Sequence, residues 1–154
     1  MRMRLTCSLL ILNGILAGCS SSEHSEIVHQ SAAQVMIPVT SATELYVLGD
    51  MDDWRPSKQY QMVQISPKLF QVNVRFAQPG TTYRFKFADA NWTPEFNFGG
   101  LTGNSTVKLN KPLRVKERSC LDELTFTPQA VGQYAFTLDL RNKSQPIAQV
   151  TQVE

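Results

Sequence analysis

Cysteine and histidine are scarce in this chain, with three of the first and two of the second among 154 residues. Both histidines, His24 and His29, fall in a polar stretch without cysteine or carboxylate geometry around them. No metal site is therefore expected. Long hydrophobic runs are missing too. The longest apolar stretch, Leu5 to Leu16, has about 12 residues, too short to span a bilayer as a mature helix. No segment sustains a 3.6-residue apolar period, which argues against amphipathic helices. A Gly-x-Ser-x-Gly elbow, a phosphate loop and a histidine pair are all absent from the region beyond residue 33, which removes common hydrolase and nucleotide-binding signatures. Neither sign of charge dominates, with 15 basic residues against 13 acidic.

The start of the chain resembles the bacterial lipoprotein signal. Arg2 and Arg4 precede the apolar stretch, which ends in Leu16-Ala17-Gly18-Cys19 and is followed by Ser20-Ser21-Ser22. The resemblance implies cleavage before Cys19 and acylation of its thiol and new amino group. Several acyl chains make a stable anchor, because each buried methylene contributes about 0.8 kcal/mol. Ser20, rather than Asp, after the cysteine resembles the outer-membrane sorting pattern. The expected location is the cell envelope, lipid-anchored at the outer membrane. Residues 1–18 are then a signal peptide, 19–33 a flexible tether and 34–154 the folded domain. Arg2 and Arg4 leave with the signal, which brings the net charge close to zero and favours neither nucleic acid nor an anionic lipid surface as partner. Cys7 leaves as well and Cys19 carries lipid, so no internal disulfide can form. Cys120 is expected to be a small, mostly shielded residue near a strand start. No cofactor is implied.

Beyond the tether, apolar and polar residues alternate with period two. Phe70, Val72, Val74 and Phe76 form one such set. Val107 and Leu109, Leu113 and Val115, and Tyr134, Phe136, Leu138 and Leu140 form others. Ser66-Pro67, Gln78-Pro79-Gly80, Gly99-Gly100, Asn110-Lys111-Pro112 and Thr127-Pro128 punctuate them as turns. Short strands with one apolar face each need a second sheet to cover them, so the expected fold is all-β, an antiparallel β-sandwich.

Two tryptophans carry the functional signal. Trp54 closes Leu48-Gly49-Asp50-Met51-Asp52-Asp53-Trp54, and Trp92 follows Phe85-Lys86-Phe87-Ala88-Asp89-Ala90-Asn91. Each stands at a polar turn beyond a strand-like segment. Alternation of Tyr83, Phe85 and Phe87 with Arg84 and Lys86 places the cations on the face opposite those aromatics. Flat apolar rings beside a hydrogen-bond donor suit a sugar, whose ring has an apolar face edged by hydroxyls.

These segments resemble the glycogen- and starch-binding modules of family 48. The resemblance rests on Leu45-Tyr46-Val47-Leu48-Gly49, the turn to Trp54, the hairpin through Phe70 to Phe76, and Pro79-Gly80-Thr81-Thr82-Tyr83-Arg84-Phe85-Lys86-Phe87 with Trp92. It is most similar to the pullulanase versions, where a like stretch leads into Asn97-Phe98-Gly99-Gly100, and Gly132 to Asp139 with Pro146 resembles the closing strands. The resemblance implies an immunoglobulin-like sandwich binding α-1,4-linked glucan: glycogen, starch or maltodextrin. It implies stacking on Trp54 and Trp92, a hydroxyl contact from Lys86, and a polar contact from Asn104. Asp52 departs from the family's usual Asn, with Asp50 and Asp53 flanking it. These carboxylates could repel one another, cap backbone amides as turn formers or bind calcium, although the run lacks the glycine and distant glutamate of a calcium loop.

The roughly 136 residues left after the signal would not hold a catalytic barrel of about 250, so an enzyme is not expected. The alternative is an envelope assembly lipoprotein that uses the same sandwich to dock a protein partner without binding sugar.

Overall fold

Period-two alternation builds the strands of the folded unit. The computed structural model describes residues 43–154, part of a unit spanning Thr40–Glu154. The signal peptide, the tether, Cys19, both histidines and the first residues of the expected domain lie outside the described residues. The strands are β1 (Leu45–Gly49), β2 (Val63–Ser66), β3 (Leu69–Phe76), β4 (Tyr83–Asp89), β5 (Asn97–Phe98), β6 (Ser105–Thr106), β7 (Leu113–Arg114), β8 (Leu124–Phe126), β9 (Gly132–Asp139) and β10 (Ile147–Val153). Two single 3-10 turns, Lys58–Tyr60 and Pro94–Phe96, accompany them.

They form two sheets. One runs β1-β4-β8-β6, with β5 pairing the distal half of β4; the other runs β2-β3-β9-β10-β7. The expected antiparallel sandwich is what the chain forms, with one exception: β6 and β8 pair in parallel, Ser105 opposite Leu124 and Thr106 opposite Thr125. Between those two strands the chain crosses to the other sheet and back through β7, so both run the same way.

Phe76, Phe85, Phe126, Tyr134 and Phe136 fill the space between the sheets, with ring centroids 5.0–6.0 Å apart in mostly edge-on or tilted pairs. Such geometry suits the ring quadrupoles better than face-to-face stacking. Tyr134 is fully buried, yet its hydroxyl is satisfied. It donates to the Ala130 carbonyl at 2.9 Å and accepts from the Ala130 N–H at 3.1 Å. That closure, from the start of β9 onto the preceding corner, is the tyrosine corner of immunoglobulin-like sandwiches.

Two of the expected alternating runs are shorter as strands than their pattern suggests. Val107 bonds to the Thr125 carbonyl at 2.8 Å, and then a turn closes between Lys108 and Lys111. Val115 bonds to the Pro146 carbonyl in one sheet, and Lys116 immediately pairs with Gly99 in the other. A segment crossing between sheets can bury alternate residues without a long ladder. Cys120 corrects the expectation of a shielded residue: it is exposed, carried outward on the loop between β7 and β8.

Replacing Tyr134 with Phe removes a hydroxyl that serves two backbone groups. Urea unfolding should show a loss of about 1–3 kcal/mol, with the far-ultraviolet spectrum of the folded state unchanged.

Candidate functional site

The run Leu45-Tyr46-Val47-Leu48 does not alternate, because β1 is buried on both faces. Leu45 and Val47 point into the core between the sheets. Tyr46 and Leu48 join Ala88 in a separate cluster on the outer face of the sheet, and Trp54 and Trp92 pack against it. Cross-strand register sets this floor: Tyr46 lies opposite Ala88, and Leu48 opposite Lys86. The two indoles meet over it with centroids 6.1 Å apart and planes inclined by 34°. Each ring keeps part of its surface exposed.

Both tryptophans arrive on turns that fold back over the strands. Trp54 has φ 63° and Trp92 φ 56°, the left-handed region that bulky side chains rarely occupy. Aspartates hold these turns. Asp52 accepts from the Gly49 N–H at 3.2 Å, and Trp54 donates its backbone N–H to the Gly49 carbonyl at 2.9 Å. A Cβ on Gly49 would lie 2.3 Å from the Arg84 carbonyl, so only glycine permits this close approach to β4. In the second turn the buried Asp89 accepts from the Thr93 N–H at 2.7 Å and the Thr93 hydroxyl at 2.6 Å. The carboxylates flanking Trp54 are thus mainly turn formers. Asp53 is exposed and faces Arg55 at 3.6 Å. No group of three or more metal-ligating side chains occurs among the described residues.

Asp50 ties the first turn to β4. Its Oδ1 accepts from the Trp54 indole N–H at 3.2 Å and from Arg84 Nη2 at 2.9 Å; its Oδ2 accepts from the Arg84 backbone N–H at 2.9 Å and Nε at 3.1 Å. Partial burial pushes the carboxyl pKa up, but the Arg84 hydrogen bonds and charge and the indole N–H outweigh it, and the net shift is downward. Arg84 Cζ lies 5.9 Å from the Trp54 ring centroid, within cation–π reach. Its other nitrogen faces Glu123 at 3.5 Å.

Lys86 shares this face but not its exposure. Only 2 % of the residue is accessible, and among the described residues no group accepts from its Nζ. Burial holds its pKa below the ordinary lysine value, against a partial upward pull from Cys120, Asp122 and Glu123. The side chain runs toward Gly99, where a Cβ would lie 3.1 Å from Lys86 Cε and 2.0 Å from the Asp122 carbonyl. The segment covering it is pinned by Lys116 to Asp122 at 2.6 Å and by the Gly103 N–H to Asp122 at 2.7 Å.

Asn104 is exposed and its Oδ1 accepts from the Glu123 N–H at 3.1 Å. Extending the register of β4, β8 and β6 by one residue aligns Lys86, Glu123 and Asn104 in one row. Two strand spacings, roughly 10 Å, separate the outer members. The structure therefore brings Trp54 and Trp92 together, sets Lys86 beside their floor under a cover, and leaves Asn104 at the far edge. The residues that sequence reasoning missed are the floor itself and the Asp50–Arg84 pair. The non-alternating apolar run of β1 signals the floor. Arg84, placed by alternation on the Lys86 face, signals one half of the pair.

The assembled face offers two inclined aromatic rings and a charged, hydrogen-bonding border of Arg84, Asp50 and Glu123. It can stack apolar ligand faces and bond hydroxyls at their rim. No protein-family model matches the chain, and no curated protein matches its sequence. A solved structure described as the ligand-induced structure of AmyP-SBD is similar with a TM-score of 0.53 at 19% sequence identity, covering 88% of this chain and 99% of that chain. What is shared at that identity is the fold alone, an all-β sandwich.

Proposed function

We propose that this chain is a membrane-tethered lipoprotein whose sandwich binds α-1,4-linked glucan, as a non-catalytic module of the family 48 kind. Its ligand is glycogen, starch or maltodextrin, and its anchor is the lipid on Cys19, at the outer membrane. The observation that carries the reading is the tryptophan pair, two part-exposed rings 6.1 Å apart on one sheet face. Their 34° inclination suits an α-1,4 chain, whose successive glucose rings turn relative to one another; flat β-linked chains favour coplanar rings. The AmyP starch-binding domain, whose fold this chain shares, supports the same ligand class. Held at the envelope, such a module would retain polymer for a separate hydrolase or transporter.

A second reading, docking of an envelope protein, is favoured by one feature. Edge strand β2 exposes Val63 (65 %) and Ile65 (52 %), and an open edge can pair with another chain. β2 belongs to the other sheet from the one that carries the tryptophan face, so substitutions there separate the two functions.

Tryptophan fluorescence titrations with maltodextrin test the sugar reading. Trp92→Ala and Trp54→Ala should each weaken binding by roughly thirtyfold, on the order of 2 kcal/mol. Unchanged affinity in a folded variant removes that ring from the site.

Lys86→Met should move stability and affinity in opposite directions. Replacing a buried ammonium that has no acceptor among the described residues by an apolar side chain should raise stability to urea by about 1–3 kcal/mol. Loss of the donor should weaken glucan binding by about tenfold. A variant that is stabilised but binds normally would make Lys86 a purely structural residue.

A further inference from the structure

We propose that Asp50 and Arg84 are positioning residues that set the plane of the Trp54 indole against Trp92. The ligand consequence rests on the α-glucan reading; the positioning itself does not. Backbone hydrogen bonds within the turn place the Trp54 Cα, but they leave its side-chain torsions open. Packing on Leu48 and Tyr46 is non-directional and permits the ring to slide or tilt. The directional contact is the indole N–H to Asp50 Oδ1 at 3.2 Å. That carboxylate cannot swing, because Arg84 grips it through its backbone N–H, Nε and Nη2. The planar guanidinium presents two parallel donors to the two oxygens, a geometry that a lysine ammonium cannot reproduce. Arg84 also reaches the ring directly, with Cζ 5.9 Å from its centroid, and is braced on its other side by Glu123. Glu123, Arg84, Asp50 and Trp54 thus form a continuous chain of contacts from the residue preceding β8 across β4 to the first turn.

The chain contains two tryptophans, so the exciton couplet of a tryptophan pair in far-ultraviolet circular dichroism reports this geometry alone. Trp54→Phe in the full chain gives the zero. Asp50→Ala should remove most of the couplet, and Arg84→Lys should reduce it although charge is kept. In both, the melting temperature should stay within about 8 °C, since Arg84 is half-exposed and Asp50 only partly buried. Maltodextrin affinity should fall by about tenfold in Asp50→Ala, less than on deletion of the ring. An undiminished couplet in Asp50→Ala overturns the proposal whatever the sugar does. A lost couplet with full maltodextrin affinity overturns the ligand consequence, because the ring geometry would then not act on binding. A lost couplet in a chain whose unsubstituted form binds no maltodextrin supports the positioning and rejects the α-glucan reading.

Discussion

Leu48 and Ala88 lie on the face of their sheet that the partner sheet does not reach, and the rest of the site follows from having to cover them. Apolar surface left in water there forfeits about 25 cal/mol for every Å². Two tryptophans close it, carried by turns beyond the ends of β1 and β4. A ring arriving from past a strand end must fold back over the strand, and an extended backbone cannot take it there. The left-handed conformations of Trp54 and Trp92 reverse the chain. Each costs on the order of 1–3 kcal/mol for a bulky residue. Hydrogen bonds that backbone N–H groups of the same turns donate to Asp52 and Asp89 offset part of that strain.

Partial burial lets one pair of rings serve two ends. Their inner surfaces shield the floor, while their remaining exposed area is available to a ligand. Charge is distributed to match. The solvent-facing border holds Arg84, Asp50 and Glu123 in mutually satisfied contacts. Lys86, a buried cation whose Nζ finds no acceptor among the described residues, is enclosed beneath the Lys116–Asp122 segment. Burial and the loss of solvent make that ammonium the least comfortable group on the face, and a hydroxyl-bearing ligand reaching it would relieve the cost.

Legibility in sequence followed the range of each interaction. Period-two patterns along Phe70–Phe76 and Tyr134–Leu140 gave the long strands, and turn chemistry gave the placement of both tryptophans. The facing of Arg84 and Lys86 came from the same alternation. Burial of Lys86 was not legible, because it depends on a loop about 30 residues further along folding over it. Asp50 and Arg84 are separated by 34 positions, so their pairing needs the β1–β4 register. Val107, Leu109 and Val115 alternate as strand residues do, yet they lie where the chain changes sheets; alternation records which side is buried, not how long a ladder continues. Tyr134 read simply as an apolar core position, since its hydroxyl partners are backbone groups that no side-chain pattern marks.

Affinity electrophoresis of the full chain tests the central claim most directly, in gels with and without glycogen and with a β-linked glucan as control. An α-glucan-binding face built on the tryptophan pair predicts retardation by glycogen alone, abolished when Trp54 and Trp92 are both replaced by Ala in a folded protein. Equal mobility in all three gels, or retardation that survives the double substitution, would contradict it.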